Sequence, residues 1–539
     1  MTSMTHPISR RLLAPLAALC LCGAPGCVDL TETPITGITS AFYSTPEGFE
    51  NAANAMYEPM RPFLPDQPGA TFTVFGTDEF QKGADGNYKG FNDYTAALNG
   101  EVDYIRNTWS NFYRGINTTN TVIAAAKDAR VPDAQKTLRT AEARFLRAMY
   151  FFTLVRTYGD IPLPLLPTAG VATETNREPV AKVYDAIVAD LLFAEANLPD
   201  VQKDYGRATK PAAQHLLSLV YLTRASAGDM ALAAAKAKAV LDNPRFGLLP
   251  RYKDVFDFNN EVNKEVIFSI QFTADPLTTG GGNSLHLYFT AAYDLEPGMK
   301  RDIANGRPFR RFRPTAWLRN LWDRNVDTRY DDMFKIAYIS NNEANIPKDA
   351  SGKPKFTVGD TAVFMPGREV TAAERATTRY KIYAPSDYND AMFPVLNKFL
   401  DGNRLSTNDT RGSRDLLIMR LAETYLIEAE ALMRDGKAAQ AVPFINAVRT
   451  RAAKPGQAAA MQVTAADLNI DFILDERARE LTGETMRWFD LTRTHKLVER
   501  VKKYNPGGAP NIQEFHNLRP IPTNEILLST GTIKQNPGY

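Results

Sequence analysis

The sequence predicts a mainly α protein in which helix pairs form a scaffold that carries long irregular loops and a few short strands. Three observations support this. Residues 141–164, AEARFLRAMYFFTLVRTYGDIPLP, are apolar on two adjacent helical faces, Phe145, Met149, Phe152 and Val155 on one and Leu146, Tyr150, Leu154 and Tyr158 on the next. A helix apolar over two faces is buried among other helices rather than lying on a surface. Residues 208–241 and 415–451 each read as an apolar helix, a Gly turn and an Ala-rich return helix. Residues 62–103 and 245–400, rich in Gly and aromatic residues, break the helical period.

In chain order, residues 1–26 have the form of an export signal. Arg10 and Arg11 form a basic start, residues 12–22 a short apolar core, and Gly23, Ala24 and Gly26 a small-residue cleavage region. Ala24-Pro25-Gly26-Cys27 has the form of a lipobox, with Ala24 in the place of the usual leucine, so Cys27 is expected to take a diacylglycerol. Removal of the signal takes away Cys20 and Cys22 and leaves Cys27 alone, which excludes an internal disulfide. It also takes two of the 63 Lys and Arg and none of the 61 Asp and Glu, leaving 61 of each. A formally neutral chain has no basic footprint for nucleic acid. At 539 residues the chain is long for one core, and two regions, 27–244 and 245–539, are expected.

Residues 28–38, polar and Thr-rich, read as an extended tether. A first helix spans 44–61, with Ser44 or Thr45 as cap, Pro46 in the first turn and a stripe of Phe49, Ala52, Ala53 and Met56. Residues 62–103 follow as a loop with one short strand at 72–75. Helices resume at Trp109, whose face continues through Tyr113, Ile116 and Asn120. In the central helix Arg144, Arg147 and Arg156 reach an edge, and Gly159, Pro162 and Pro164 stop it. A further helix covers 180–198. In the two hairpins Gly228 and Gly436 make the turns, a pattern seen in tetratricopeptide units, but about 200 residues separate them, so no tandem array is expected. Between them, 265–272 alternates like a strand and 353–383 suggests short strands. A long helix covers 471–498.

Few residues are arranged for chemistry. None of the five histidines pairs with a ligand at metal spacing, and no zinc, phosphate-loop or serine-nucleophile motif occurs. Residues 85–90 echo a calcium loop only faintly, because Lys89 stands where an oxygen ligand is needed. Glu476, Glu480 and Glu484 recur at four-residue steps, the residue type a glycosidase would use, but interleaved Arg477, Arg479, Arg487 and Arg493 favour ion pairing. The aromatic residues of the loops suit sugars, since Tyr and Trp offer a flat apolar face with a polar tip.

Residues 141–164, MRLAETYLIEAEAL at 419–432, ILDERARELTGETMRWFDLTR at 473–493, and LRPIPTNEI with a terminal QNPGY resemble the SusD/RagB family. Trp109-x-x-x-Tyr113-x-x-Ile116 and Asp327-Thr-Arg329 agree, in the family's order. The resemblance implies an outer-membrane lipoprotein facing the cell exterior, four tetratricopeptide-like helix pairs under loop-built ligand surface, and a TonB-dependent β-barrel transporter of the SusC type as partner. It implies oligo- or polysaccharide ligands and no cofactor, with peptides as the alternative cargo, and names no ligand residues. From the residues themselves, loops 78–94 and 286–293 are the expected ligand face. Tyr88, Tyr94, Tyr288 and Tyr293 would stack on sugars, with Asp78 and Asn92 as hydrogen-bonding partners. A hydrolase built on Glu476 and Glu480 is the remaining reading.

Overall fold

A computed structural model describes residues 40–170, 173–484 and 486–539. The signal at 1–26, the lipobox cysteine Cys27 and the tether at 28–38 lie outside the described residues. No helix among the described residues is long and apolar enough to cross a membrane.

The first helix, α1 (Pro46–Ala55), starts at Thr45, whose Oγ1 accepts from the Gly48 amide at 3.0 Å. It is shorter than expected, and a 3₁₀ turn at Glu58–Met60 replaces its last part. Two long helices follow, α2 (Asp103–Ala125) and α3 (Asp133–Tyr158). They approach closely at Gly115, where an added Cβ would lie 2.8 Å from Tyr150 Cε2. Helix α3 is the central stretch seen in the sequence, and both its apolar faces are buried. Gly159, at φ +76°, ends it in a backbone conformation open to glycine. Of the three arginines expected at its edge, Arg147 is instead buried, gripping Asp190 through two bonds of 2.8 Å.

Next come α4 (Val180–Asn197), α5 (Lys210–Arg224), α6 (Asp229–Leu241), α7 (Leu421–Arg434) and α8 (Ala438–Ala452). Each packs on its predecessor, including α7 on α6. The two hairpins that are about 200 residues apart in sequence are therefore neighbours in space, and the helix-pair array is continuous. Ala233 and Ala237, both fully buried, are small enough to let the α6 backbone approach its neighbours. The long insertion between α6 and α7 leaves the array and returns to it.

That insertion and the 62–103 segment build four small sheets among the described residues. Strand β1 (Phe80–Lys82) pairs with β3 (Phe312–Pro314), and β2 (Val266–Ile270) pairs with the strand Leu416–Arg420 that leads into α7. The others are a two-stranded pair and a three-stranded sheet within residues 334–396. Tyr293, Tyr338, Phe356 and Phe393 form a satellite core there. The strand expected at 72–75 is absent. Residues Gln67–Thr73 are helical instead, capped by Asp66, whose carboxylate accepts from the Gln67 amide at 2.7 Å. The segment 71–80 is entirely buried, so this part of the expected loop belongs to the interior.

The long helix expected at 471–498 is broken into α9 (Ile470–Leu481), α10 (Arg487–Arg493) and α11 (Leu497–Tyr504). Gly483 makes the first break. Its φ is +73°, its amide donates to Glu79 Oε2 at 3.1 Å, and an added Cβ would lie 2.8 Å from Leu396 Cδ1. Glu484 therefore lies beyond the helix that holds Glu476 and Glu480.

Candidate glycan-binding face

The β1–β3 ribbon ends in two clusters of half-exposed aromatic rings. At one end Gly83 donates to the Arg311 carbonyl at 3.0 Å, and the chain turns outward through residues 84–90. Asp85 of the faint calcium echo is bonded to Arg310. Tyr88, further along this turn, stacks on Tyr104 at the start of α2, with ring centroids 3.6 Å apart and planes 20° apart. Burial, then Tyr88 and Asp66, raise the Tyr104 hydroxyl far above the usual tyrosine range, so it remains a proton donor. Beside it, Arg311 lies 4.8 Å from the Phe309 ring centroid and 5.4 Å from that of Tyr288, with no carboxylate partner among the described residues. Its terminal nitrogens are donors without a protein acceptor there.

At the other end, Thr315 caps the turn Ala316–Arg319 and presents Trp317. Trp317 stacks on Tyr504 of α11, with centroids 5.1 Å apart and planes 28° apart. Of the four tryptophans it alone is only half-buried. The guanidinium carbons of Arg487 and Arg500 lie 5.3 Å from its ring centroid and anchor it from behind. Stacked pairs of this kind offer what a sugar ring needs, a preformed flat apolar surface with polar groups at its edge.

Of the six expected ligand residues, only Tyr88 lies at this surface. Asp78 is fully buried, bonded to Arg487 at 2.7 Å and Arg500 at 3.0 Å. Burial would raise its pKa, but these two arginines outweigh it and hold the carboxylate below its ordinary range. Asn92 is buried, accepting from Asn505 at 3.0 Å and donating to Asp93 at 2.8 Å. Tyr94 donates to the Gly76 carbonyl at 2.7 Å. Tyr288 donates to Asp66, and Tyr293 lies flat on Tyr338 and donates to the Gly306 carbonyl at 2.7 Å. Tyr94, Tyr288 and Tyr293 are at most 4% exposed. These five side chains have no free surface for a sugar; their polar atoms satisfy buried backbone and side-chain groups, which explains why they sit in loops without being at the rim. Tyr104, Arg311 and Tyr504 were not expected from sequence. Each lies at a helix end or strand edge, where spacing carries no sign of exposure.

The carboxylates suggested for hydrolysis are equally enclosed. Glu476 and Glu480 are fully buried. Glu476 meets Arg329 at 2.8 Å, Arg449 at 2.7 Å and Arg479 at 2.9 Å. Glu480 meets Arg420 at 2.8 Å and Arg329 at 3.1 Å, and also Arg451. Burial would raise the Glu480 carboxyl, but Arg451, Arg420 and Arg329 hold it down at about 2. Neither group carries a proton to give at neutral pH, and neither is accessible to a glycosidic oxygen. The expected helix ion pairing is thus one contact among several. Most partners come from distant segments, including the Arg329 of the Asp327-Thr-Arg329 motif.

The comparisons with known proteins agree with this architecture. The family model described as "SusD family" matches residues 264–539, just over half of the chain, and one described as "Starch-binding associating with outer membrane" matches 44–222. A relative, SusD-like protein P2 of Formosa agariphila, is 27% identical over 95% of this chain and 97% of its own. The starch-binding protein SusD of Bacteroides thetaiotaomicron is 26% identical over 76% of this chain and 74% of its own. Among solved structures, a laminarin-binding SusD-like protein superposes with a TM-score of 0.69 at 24% identity, covering 92% of this chain and all of that one. Surface glycan-binding protein A of Bacteroides thetaiotaomicron gives 0.70 at 20% identity over 92% of this chain and all of its own. By the family model that spans its C-terminal half and more, the chain belongs to the SusD family.

Proposed function

We propose that the chain is a non-catalytic, surface-facing lipoprotein of the outer membrane. It captures oligo- or polysaccharide and delivers it to a TonB-dependent β-barrel transporter. The observation that carries the reading is the pair of aromatic platforms, Tyr88 on Tyr104 and Trp317 on Tyr504, at the two ends of one ribbon on a rigid helical scaffold. Relatives named for starch, laminarin and surface glycan binding support a sugar as cargo. Formal neutrality of the chain beyond residue 26 also suits a neutral glycan, which is held by ring faces and hydroxyl hydrogen bonds rather than by a field. Acylation at Cys27 is the proposed anchor, since several acyl chains hold a protein to a membrane stably at about 0.8 kcal/mol per buried CH₂.

Affinity electrophoresis of residues 28–539 through a panel of polysaccharides tests the capture role. Retardation by at least one glycan, weakened in Tyr104→Ala and in Trp317→Ala, is expected. Binding to a peptide panel with no glycan retarded would favour peptide capture instead. Cys27→Ala is expected to release the protein from the membrane fraction. Co-purification of the lipidated protein with a β-barrel transporter tests delivery.

A further inference from the structure

A cavity of about 640 Å³ opens among α3, α4, α5 and α10, with Arg156, Tyr184, Arg224, Phe489, Arg493 and Leu518 in its wall. Its volume falls in the range of small-molecule sites. The charges in the wall are answered in all but one case. Arg224 pairs with Asp229 through bonds of 2.8 and 2.7 Å and lies 3.6 Å from Asp185, the carboxylate in the wall, and Arg493 meets Glu430 at 2.7 Å and Asp490 at 2.8 Å. Arg156 is different. Its guanidinium carbon lies between two rings, 3.8 Å from the centroid of Phe152 and 3.9 Å from that of Phe489. Its Nε donates to the Phe152 carbonyl at 3.1 Å. Its two terminal nitrogens have no hydrogen-bond acceptor, and no carboxylate lies within 4 Å, among the described residues. The nearby acids are committed elsewhere, Asp490 to Arg477 and Arg493, and Glu423 to Arg477.

The Tyr184 hydroxyl also has no partner among the described residues, and its ring is buried beside Phe152. Burial lowers Arg156 to about 10, against Tyr184, Asp490 and Glu423, and raises Tyr184 to about 12, against Arg156 and Arg224. A guanidinium clamped on both faces keeps its edge free, and that edge fits a carboxylate through two parallel bonds. One unanswered positive charge matches a monoanion. The flanking Phe489, Leu518 and Val180 supply an apolar wall for the rest of the molecule.

We propose that this cavity binds the carboxylate of a compact organic acid, held by the terminal nitrogens of Arg156 with the Tyr184 hydroxyl as a second donor. The site is separate from the aromatic face and does not rest on the glycan reading. The carboxylate can come from a sugar acid or from a peptide C-terminus, and the same chemistry serves both. Calorimetric titration of residues 28–539 with D-glucuronate and with N-acetyl-leucine, against D-glucose and N-acetyl-leucinamide as neutral counterparts, distinguishes them. At least one acid is expected to bind ten-fold or more tightly than its neutral counterpart, more weakly at high salt, and to lose ten-fold or more in Arg156→Met. Should Arg156→Met lower the melting temperature markedly, Ala181→Trp, at an exposed position on the cavity wall, is expected to block the same acid while the fold melts as wild type. Binding of neither acid, equal binding of acid and neutral counterpart, or binding untouched by both substitutions would overturn the assignment.

Discussion

The carboxylate cluster around α9 and the aromatic face of the β1–β3 ribbon use polar side chains in opposite ways. In the cluster, Glu476, Glu480 and Glu484 meet Arg329, Arg420, Arg449 and Arg451 in a closed interior. At the ribbon, Tyr88, Tyr104 and Trp317 are stacked yet half-exposed, and Arg311 keeps unused donors. Two titratable chains of one motif can look catalytic in sequence and still be the part of the molecule least able to touch a ligand. Asp78 joins the two regions. It pairs with both Arg487 and Arg500, and those arginines back Trp317. The scaffold's ion pairing thereby fixes the ring that the face presents.

Substitutions that break one side of this comparison should leave the other intact. The largest effect is expected for Glu480→Ala, which takes from the interior the one carboxylate shared by Arg329, Arg420 and Arg451, leaving Glu484 for Arg420 and Glu265 for Arg451, and should cost about 3–5 kcal/mol of stability in a denaturant titration. Sugar binding by the fraction that stays folded should be unchanged. Gly483→Ala comes next. A side chain at φ +73° against Leu396 should cost about 2 kcal/mol, read as a lower urea midpoint. Trp317→Ala and Tyr104→Ala should each weaken glycan binding by about 1–2 kcal/mol, roughly five- to thirty-fold, with little change in melting.

The comparison also extends to pH dependence, whose sign differs between two buried glutamates. Glu480 has a folded value of about 2, below its unfolded value, so its stabilisation is present above the unfolded value and is lost as pH falls toward 2. Glu79 is the reverse. Burial raises it to about 8, and Asp78 adds to that against Arg487 and Lys398. Its proton stabilises the fold fully below the unfolded value of 4.5, and that contribution declines as pH rises through 8. Glu79→Gln should therefore flatten the loss of stability between pH 6 and 9, seen in melting curves across that window.

The helical scaffold was legible because its signals are local and periodic. The doubly apolar stretch at 141–158, the Gly159 stop and the Gly228 and Gly436 turns all appear at the expected positions. The continuity of the array was not, since the contact of α6 with α7 joins segments separated by a long insertion and has no local sign. Of the two loops expected to carry the ligand face, residues 286–293 are buried throughout, and the 78–94 loop contributes only Tyr88 to the candidate face. A tyrosine in a loop reads alike whether its ring faces solvent, like Tyr88, or lies flat on a second ring, like Tyr293 on Tyr338. Exposure is set by the insertion folding back on itself, a long-range outcome. The break at Gly483 was missed because Gly inside a strong helical period is a modest signal until Glu79 is seen to accept from its amide.

The central claim is that the ribbon's half-exposed rings hold glycan while the buried carboxylates only hold the fold. The most direct measurement is the dissociation constant of the Tyr104→Ala/Trp317→Ala double variant for the polysaccharide that retards the wild type most, with Glu480→Gln beside it. The account predicts a loss of a hundred-fold or near it in the double variant with an unchanged melting temperature, and wild-type affinity in folded Glu480→Gln. Wild-type affinity in the double variant, or lost affinity in folded Glu480→Gln, would contradict it.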